Sequence, residues 1–147
     1  MPTETQLQAD LQAAMKAGNK AKLSALRDVI TAIKNLKVEK MVATLDEPDI
    51  IQLIRKEANK RAEAAEFARQ ANRPDLIEKN EQERAILESY LPRQLSAEEL
   101  ENAIRAIVQE IGSYQIGPIM SKLRERFAGQ FDGKLASDLI KRLAQGS

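Results

Sequence analysis

Lys20, Arg27 and Lys34 stand seven residues apart, so on a helix their side chains fall within about 40° of one another. The chemistry open to such a row is charge pairing with phosphate. Basic side chains that neutralise a nucleic-acid backbone release its counterions, and the binding weakens steeply as salt rises. A second basic group lies in the last third of the chain. From Ser113 onward, Lys122, Arg124, Arg126, Lys134, Lys141 and Arg142 outnumber the acidic Glu125, Asp132 and Asp138. About three to six phosphate contacts from these residues would give measurable, salt-sensitive binding. Gly117, Gly129, Asp132 and Gly133 punctuate the same stretch. Asp132-Gly133 would open a helix with free backbone N–H groups, where an anion can settle. The plainer role of such residues is to stop helices and make tight turns. No strand-to-helix glycine loop of the phosphate-cradling kind is visible.

The remaining charge reads as surface. Arg55, Lys56, Glu57, Lys60, Arg61, Glu63, Glu66 and Arg69 form the i,i+4 pattern of a long exposed helix, each pair contributing only about 0.3–0.5 kcal/mol. Glu78, Glu81, Glu83 and Glu88 are flanked by Lys79 and Arg84, as on a solvated face rather than in an acid/base pair. The basic rows themselves are open to the same reading, since interspersed Lys and Arg keep helix surfaces hydrated. The net charge of +1 supplies no long-range pull on a polyanion.

The absent residues exclude chemistry. With no His and no Cys, the chain cannot build the usual zinc sites, Ser-His-Asp triads or thiolate nucleophiles. No catalytic residue, metal or cofactor is expected. Absence of cysteine also fits a reducing, cytoplasmic address. No run approaches the roughly 20 apolar residues of a membrane span, and the amino terminus lacks the order of a secretory signal.

The elements that must position these side chains are helices. Ala, Leu, Glu, Lys, Arg and Gln dominate, and they are the strong helix formers. Leu7, Leu11, Ala14 and Met15 mark a first helix, stopped at Gly18-Asn19, where Asn19 can cap the next. Leu23, Leu26, Val29, Ile30, Ile33 and Leu36 make the second, and periodicity fades over Met41–Leu45. Asp46 reads as a cap with Pro48 in the first turn of a third helix. That helix runs to about Ala71 on Ile50, Ile51, Ile54, Ala58 and Ala65. Asn72-Arg73-Pro74-Asp75 breaks it, and a fourth runs from about Pro74 to Leu91. Ser96 and Glu99 then form a capping box ahead of three short amphipathic stripes. These are Leu100, Ala103, Ile104, Ile107, Val108 and Ile111; then Ile116, Ile119, Met120, Leu123 and Phe127; then Leu135, Leu139, Ile140 and Leu143. Tyr90 is expected at the joint between the two halves and Phe131 in the core of the last third.

The expected fold is therefore all-α. Residues 1–92 form an amino-terminal domain of long, hairpin-like helices, and residues 96–147 form a small three-helix tail bundle.

Several stretches carry a family resemblance. In the first half these are Leu26-Arg27-Asp28-Val29-Ile30-Thr31-Ala32-Ile33-Lys34-Asn35 and Arg73-Pro74-Asp75-Leu76. They are followed by Tyr90-Leu91-Pro92-Arg93-Gln94-Leu95-Ser96 with Glu98-Glu99-Leu100, then Gly117, Met120 and Gly129-Gln130-Phe131-Asp132-Gly133-Lys134. In order and spacing the chain resembles the GatB/YqeY family, specifically its small stand-alone YqeY-like members. The tail resembles that of the B subunit of tRNA-dependent amidotransferases. Pro118 and Gln130 depart from the pattern, standing where basic residues are usual.

The resemblance implies a tail that grips tRNA, while the parts of the amidotransferase that carry out its chemistry are missing here. The expected function is thus a non-catalytic accessory protein binding tRNA or a tRNA-linked complex. The alternative is a protein-interaction module docking a larger enzyme, and a carbon–nitrogen ligase using glutamine as amide donor is a third. Expected partners are tRNA or a protein, with no membrane, and the sequence leaves the oligomeric state open.

Overall fold

A computed structural model of the chain describes residues 2–146. Seven helices and no strands are present among them: α1 (Glu4–Ala17), α2 (Lys20–Lys40), α3 (Glu47–Gln70), α4 (Pro74–Glu88), α5 (Ala97–Ile111), α6 (Ile116–Arg126) and α7 (Gly133–Gln145). The chain divides between Leu91 and Pro92 into two compact units. No described helix is long and apolar enough to cross a membrane.

In the first unit the helix ends follow from local chemistry. The Thr3 hydroxyl accepts from the Gln6 N–H at 3.1 Å to start α1. Gly18, at φ +68°, takes the left-handed conformation that returns its N–H to the last carbonyls, which glycine adopts without a Cβ clash. The Asn19 side chain then accepts from the Lys22 N–H at 3.1 Å and opens α2. The α3–α4 hairpin turns through Asn72 at φ +56°, a conformation that asparagine tolerates better than most residues.

The core of this unit gathers Leu7 from α1, Leu26, Val29 and Ile33 from α2, Ile50 and Ile54 from α3, and Leu87 from α4. Each buried side chain of this size contributes roughly 1.5–3 kcal/mol before entropy is counted. The buried face of α3 continues with Ala58, Ala65 and Ala68, whose small side chains let backbones approach closely. Tyr90, just beyond α4, packs against this core, and its hydroxyl donates to Asp10 Oδ2 at 2.5 Å.

The second unit is built on stronger amphipathic patterns. The capping box opens α5: the Ser96 hydroxyl accepts from the Glu99 N–H at 3.1 Å, and Glu99 Oε1 accepts from the Ser96 N–H at 2.9 Å. Gly112 at φ +83° closes it. Asp132 Oδ1 accepts from the Lys134 N–H at 2.9 Å to start α7. The segment before α5 is tied down inside the unit. The Leu95 N–H donates to the Gln130 carbonyl at 2.8 Å, and Gln94 Nε2 donates to the Gly129 carbonyl at 2.8 Å. Leu100, Ile104, Ile107, Ile119, Met120, Leu123, Phe131, Ala136 and Ile140 form its core.

The structure corrects several local expectations. Asp46 occupies the start of α3, but its side chain makes no capping bond there. The fourth helix ends at Glu88, three residues short, and residues 89–91 turn ahead of Pro92, with Tyr90 set against the core. Gly117 lies inside the first turn of α6, which begins one residue earlier at Ile116, so it is neither a stop nor a turn. Met15 is half exposed and Leu135 is 62 % exposed, so neither belongs to a core stripe. Tyr90, next to the division between the two units, packs against the first unit's core. Glu57 and Glu83, read as solvated, are 6 % and 2 % exposed, paired with Arg61.

Candidate nucleic-acid interface

Lys20, Arg27 and Lys34 are all exposed on α2. At about 100° per residue they fall within about 40° of one another, turned away from buried Leu26, Val29 and Ile33, with buried Ile30 at the border of the row. None of the three makes an ion pair with another described residue.

One carboxylate, Asp28, belongs to the same stretch of α2, and it is occupied. The Arg61 guanidinium of α3 donates from Nη2 to Asp28 Oδ2. It also donates from Nη1 to Glu57 Oε2 at 3.1 Å and from Nε to Glu83 Oε1 at 3.3 Å. The Ser24 hydroxyl adds a bond to Glu83 Oε1 at 3.1 Å, and Lys60 Nζ pairs with Glu57 Oε1 at 3.2 Å. Burial alone would lower the Arg61 pKa, but bonding to Asp28 and the charges of Asp28 and Glu83 outweigh it and raise it. Three carboxylates sharing one guanidinium explain why Glu57 and Glu83 can be buried at all: a buried charge must be paired.

The tail cations are less united. On α6, Lys122 and Arg124 are separated by about 160° around the helix axis, on opposite flanks of the Ile119–Met120–Leu123 core stripe. Arg126 is committed: Nη1 and Nη2 donate to the two oxygens of Glu110 at 2.6 and 2.7 Å. That bond, with the charge of nearby Lys122, holds the Glu110 carboxyl below its ordinary value.

On α7, Lys134 and Lys141 share a face, with Arg142 about 80° from Lys134 and Asp138 between them. The structure thus brings together Lys134, Lys141 and Arg142 and leaves Arg124 apart. Gly117, Gly129, Asp132 and Gly133 do not converge on an anion site. Gly117 is in the first turn of α6, while Asp132 and Gly133 start α7 with the Asp132 carboxylate itself occupying an end N–H.

Reading the chain for rows of cations missed the better signal, a run without acids. Residues 11–38 hold six basic residues (Lys16, Lys20, Lys22, Arg27, Lys34 and Lys37) and one acidic residue, Asp28. A near-neutral total hides this excess because acids fill the rest of the chain. The Arg61 network was not legible either. Glu57, Arg61 and Glu83 carry the residue types of a wet surface, and only their meeting across α2, α3 and α4 gives them another role. No group of three or more metal-ligating side chains that could hold an ion is present among the described residues.

An all-helical chain of two small units, carrying solvent-facing basic rows on α2 and α7, is the class that the structure defines. The chain belongs to the Yqey-like protein family, whose family model matches residues 4–143. The chain is similar to "Altered inheritance of mitochondria protein 41, mitochondrial" of Lachancea thermotolerans, with 28 % identity over 141 residues, covering 92 % of this chain and 75 % of that protein. The protein of the same name from Pyrenophora tritici-repentis is 27 % identical over 129 residues, covering 84 % of this chain and 70 % of that one.

Proposed function

We propose that this protein is a non-catalytic accessory protein of the cytoplasm that binds RNA of the transfer-RNA class, with its tail as a contact surface. The observation that carries the reading is a segregation of charge within the second unit. Helix α5 bears Glu98, Glu99, Glu101 and Glu110 against one basic residue, Arg105, whereas residues 113–146 hold six basic and three acidic residues. Of those six cations only Arg126 is held in an ion pair among the described residues. Lys134, Lys141 and Arg142 are free to meet phosphate on one side of α7, and the resemblance of the tail to that of the tRNA-dependent amidotransferase B subunit is what favours RNA as the source of that phosphate.

The test is the affinity of the full chain for purified tRNA across a salt series. Binding at low salt that weakens as salt rises, and weakens further in a Lys134→Ala, Lys141→Ala, Arg142→Ala variant, supports the reading. No binding at low salt overturns it.

One feature favours a second reading, docking of a protein partner. Where α2 ends, Val38 is 77 % and Met41 90 % exposed, with Val42 also uncovered, and exposed apolar clusters mark contact sites. Capture of a protein from cytosol that survives ribonuclease treatment, and is lost on Met41→Ser, would favour it.

A further inference from the structure

The outer face of α2 carries charge in an arrangement that the tail lacks. Lys20, Arg27 and Lys34 repeat at about 10.5 Å along the helix and span about 21 Å. Thr31 is an exposed hydroxyl within the same stripe, and Asn35 an exposed amide at its edge. No carboxylate interrupts the row. Asp28 lies about 80° from Lys20 around the helix and is drawn to Arg61, which in turn is anchored by Glu57 and Glu83. On α7, by contrast, Asp138 falls between Lys134 and Lys141.

We propose that this face of α2 is a second RNA-binding surface, contacting the phosphate backbone through Lys20, Arg27 and Lys34. The inference rests on the RNA reading above and adds to it a footprint in the first unit, independent of the tail. Asp28, the one carboxylate on α2 between Lys20 and Lys34, is engaged by Arg61 on the flank of the row.

RNA fits this face better than the alternatives. A protein partner would need a buried apolar or aromatic anchor, and between Lys20 and Lys34 the outward face of α2 offers none. A lipid surface would need an apolar face to insert, and the apolar side of α2 is buried in its own core. Next to Lys34, Lys37 is tied to Glu4 at 2.8 Å and Lys40 to Asp49 at 2.9 Å. Beyond Lys34 the basic side chains of α2 are thus paired, while Lys20, Arg27 and Lys34 are not paired among the described residues.

The test uses the full chain with purified tRNA, comparing Lys20→Ala, Arg27→Ala, Lys34→Ala with the α7 triple variant and with Lys79→Ala as a surface control. Each lost phosphate contact removes about 0.7–0.9 from the slope of log K against log salt. The α2 variant is expected to lower that slope by about 2–3 and to weaken binding at least tenfold at low salt, with helicity and melting temperature unchanged. Lys79→Ala is expected to change neither.

If tRNA binds and the α7 variant weakens it while the α2 variant keeps the native slope, the second surface is refuted and the RNA reading stands. Failure of the native chain to bind tRNA refutes both. Adsorption to vesicles containing anionic phospholipid that is as tight as tRNA binding, and abolished by the α2 variant, refutes the choice of RNA.

Discussion

The Tyr90 hydroxyl donates to the Asp10 carboxylate at 2.5 Å across 80 residues of chain. It joins the segment after the fourth helix of the first unit to the first helix. Burial and the bond to Asp10 together push the Tyr90 pKa well above its ordinary value near 10.

Removal of that hydroxyl in Tyr90→Phe leaves Asp10 without its donor. The expected loss is about 1.5–3 kcal/mol, the range for a hydrogen bond to a charged group, or roughly 5–10 °C in melting temperature. The pH dependence has a definite sign. Below pH 10 the bond's contribution is complete. Above it the unfolded chain ionises while the folded tyrosine keeps its proton, so stability falls as pH rises. Melting curves between pH 8 and 11 check this, and a fall of the same size in Tyr90→Phe would count against the assignment.

Arg61 is the hub of the first unit's charge network. Arg61→Met strands Glu57 and Glu83 in a buried setting with only Lys60 and Ser24 as remaining partners. Breaking a buried pair from one side costs on the order of 3–5 kcal/mol. Glu83→Gln keeps a polar group of the same shape and is expected to cost markedly less. Urea denaturation of both variants checks the order. Equal losses would show that packing, not charge, dominates at this site.

Glu99 joins the cap of α5 to Arg93, which donates through Nη1 and Nη2 at 3.2 and 3.1 Å. That pairing first, and the Ser96 N–H second, hold the Glu99 carboxyl at about 2 against an ordinary value of 4.5. A depressed carboxylate pKa contributes stability above pH 4.5 that is lost as pH falls toward 2. Carbon-detected NMR titration is expected to give this low value in the native chain. In Arg93→Ala it should rise but stay below 4.5, because the capping bond remains.

The core of the second unit draws only on residues after Pro92. A fragment of residues 92–147 is therefore expected to stay helical and melt cooperatively, and Ile107→Ala within it is expected to cost about 2–5 kcal/mol. A flat circular-dichroism melt for the native fragment would contradict this.

Much of the fold was legible because helix periodicity and caps are local. Asn19, Ser96 with Glu99, Gly112 and Asp132 announce helix ends within four residues of sequence, and Leu100, Ile104 and Ile107 recur at the helical period. Misreadings arose where a distant contact competes with the local pattern. Met15 and Leu135 keep the period but find no neighbour to bury them. Pro92 marks the stop of α4, yet the helix ends at Glu88, with residues 89–91 in a turn that sets Tyr90 on the core. The basic row on α2 could be read from its spacing. The engagement of Asp28 by Arg61 could not, because the two lie 33 residues apart in sequence and meet only across α2 and α3.

Sequence alone settled that the chain is helical, where most helices begin and end, and that cysteine and histidine chemistry is unavailable. Those properties depend on residue types and on spacings of a few residues. Tertiary structure decided which charges stay in water and which are buried and paired. A glutamate is equally hydrated in any extended chain, and only the meeting of α2, α3 and α4 strips water from Glu57 and Glu83 and gives them Arg61 instead.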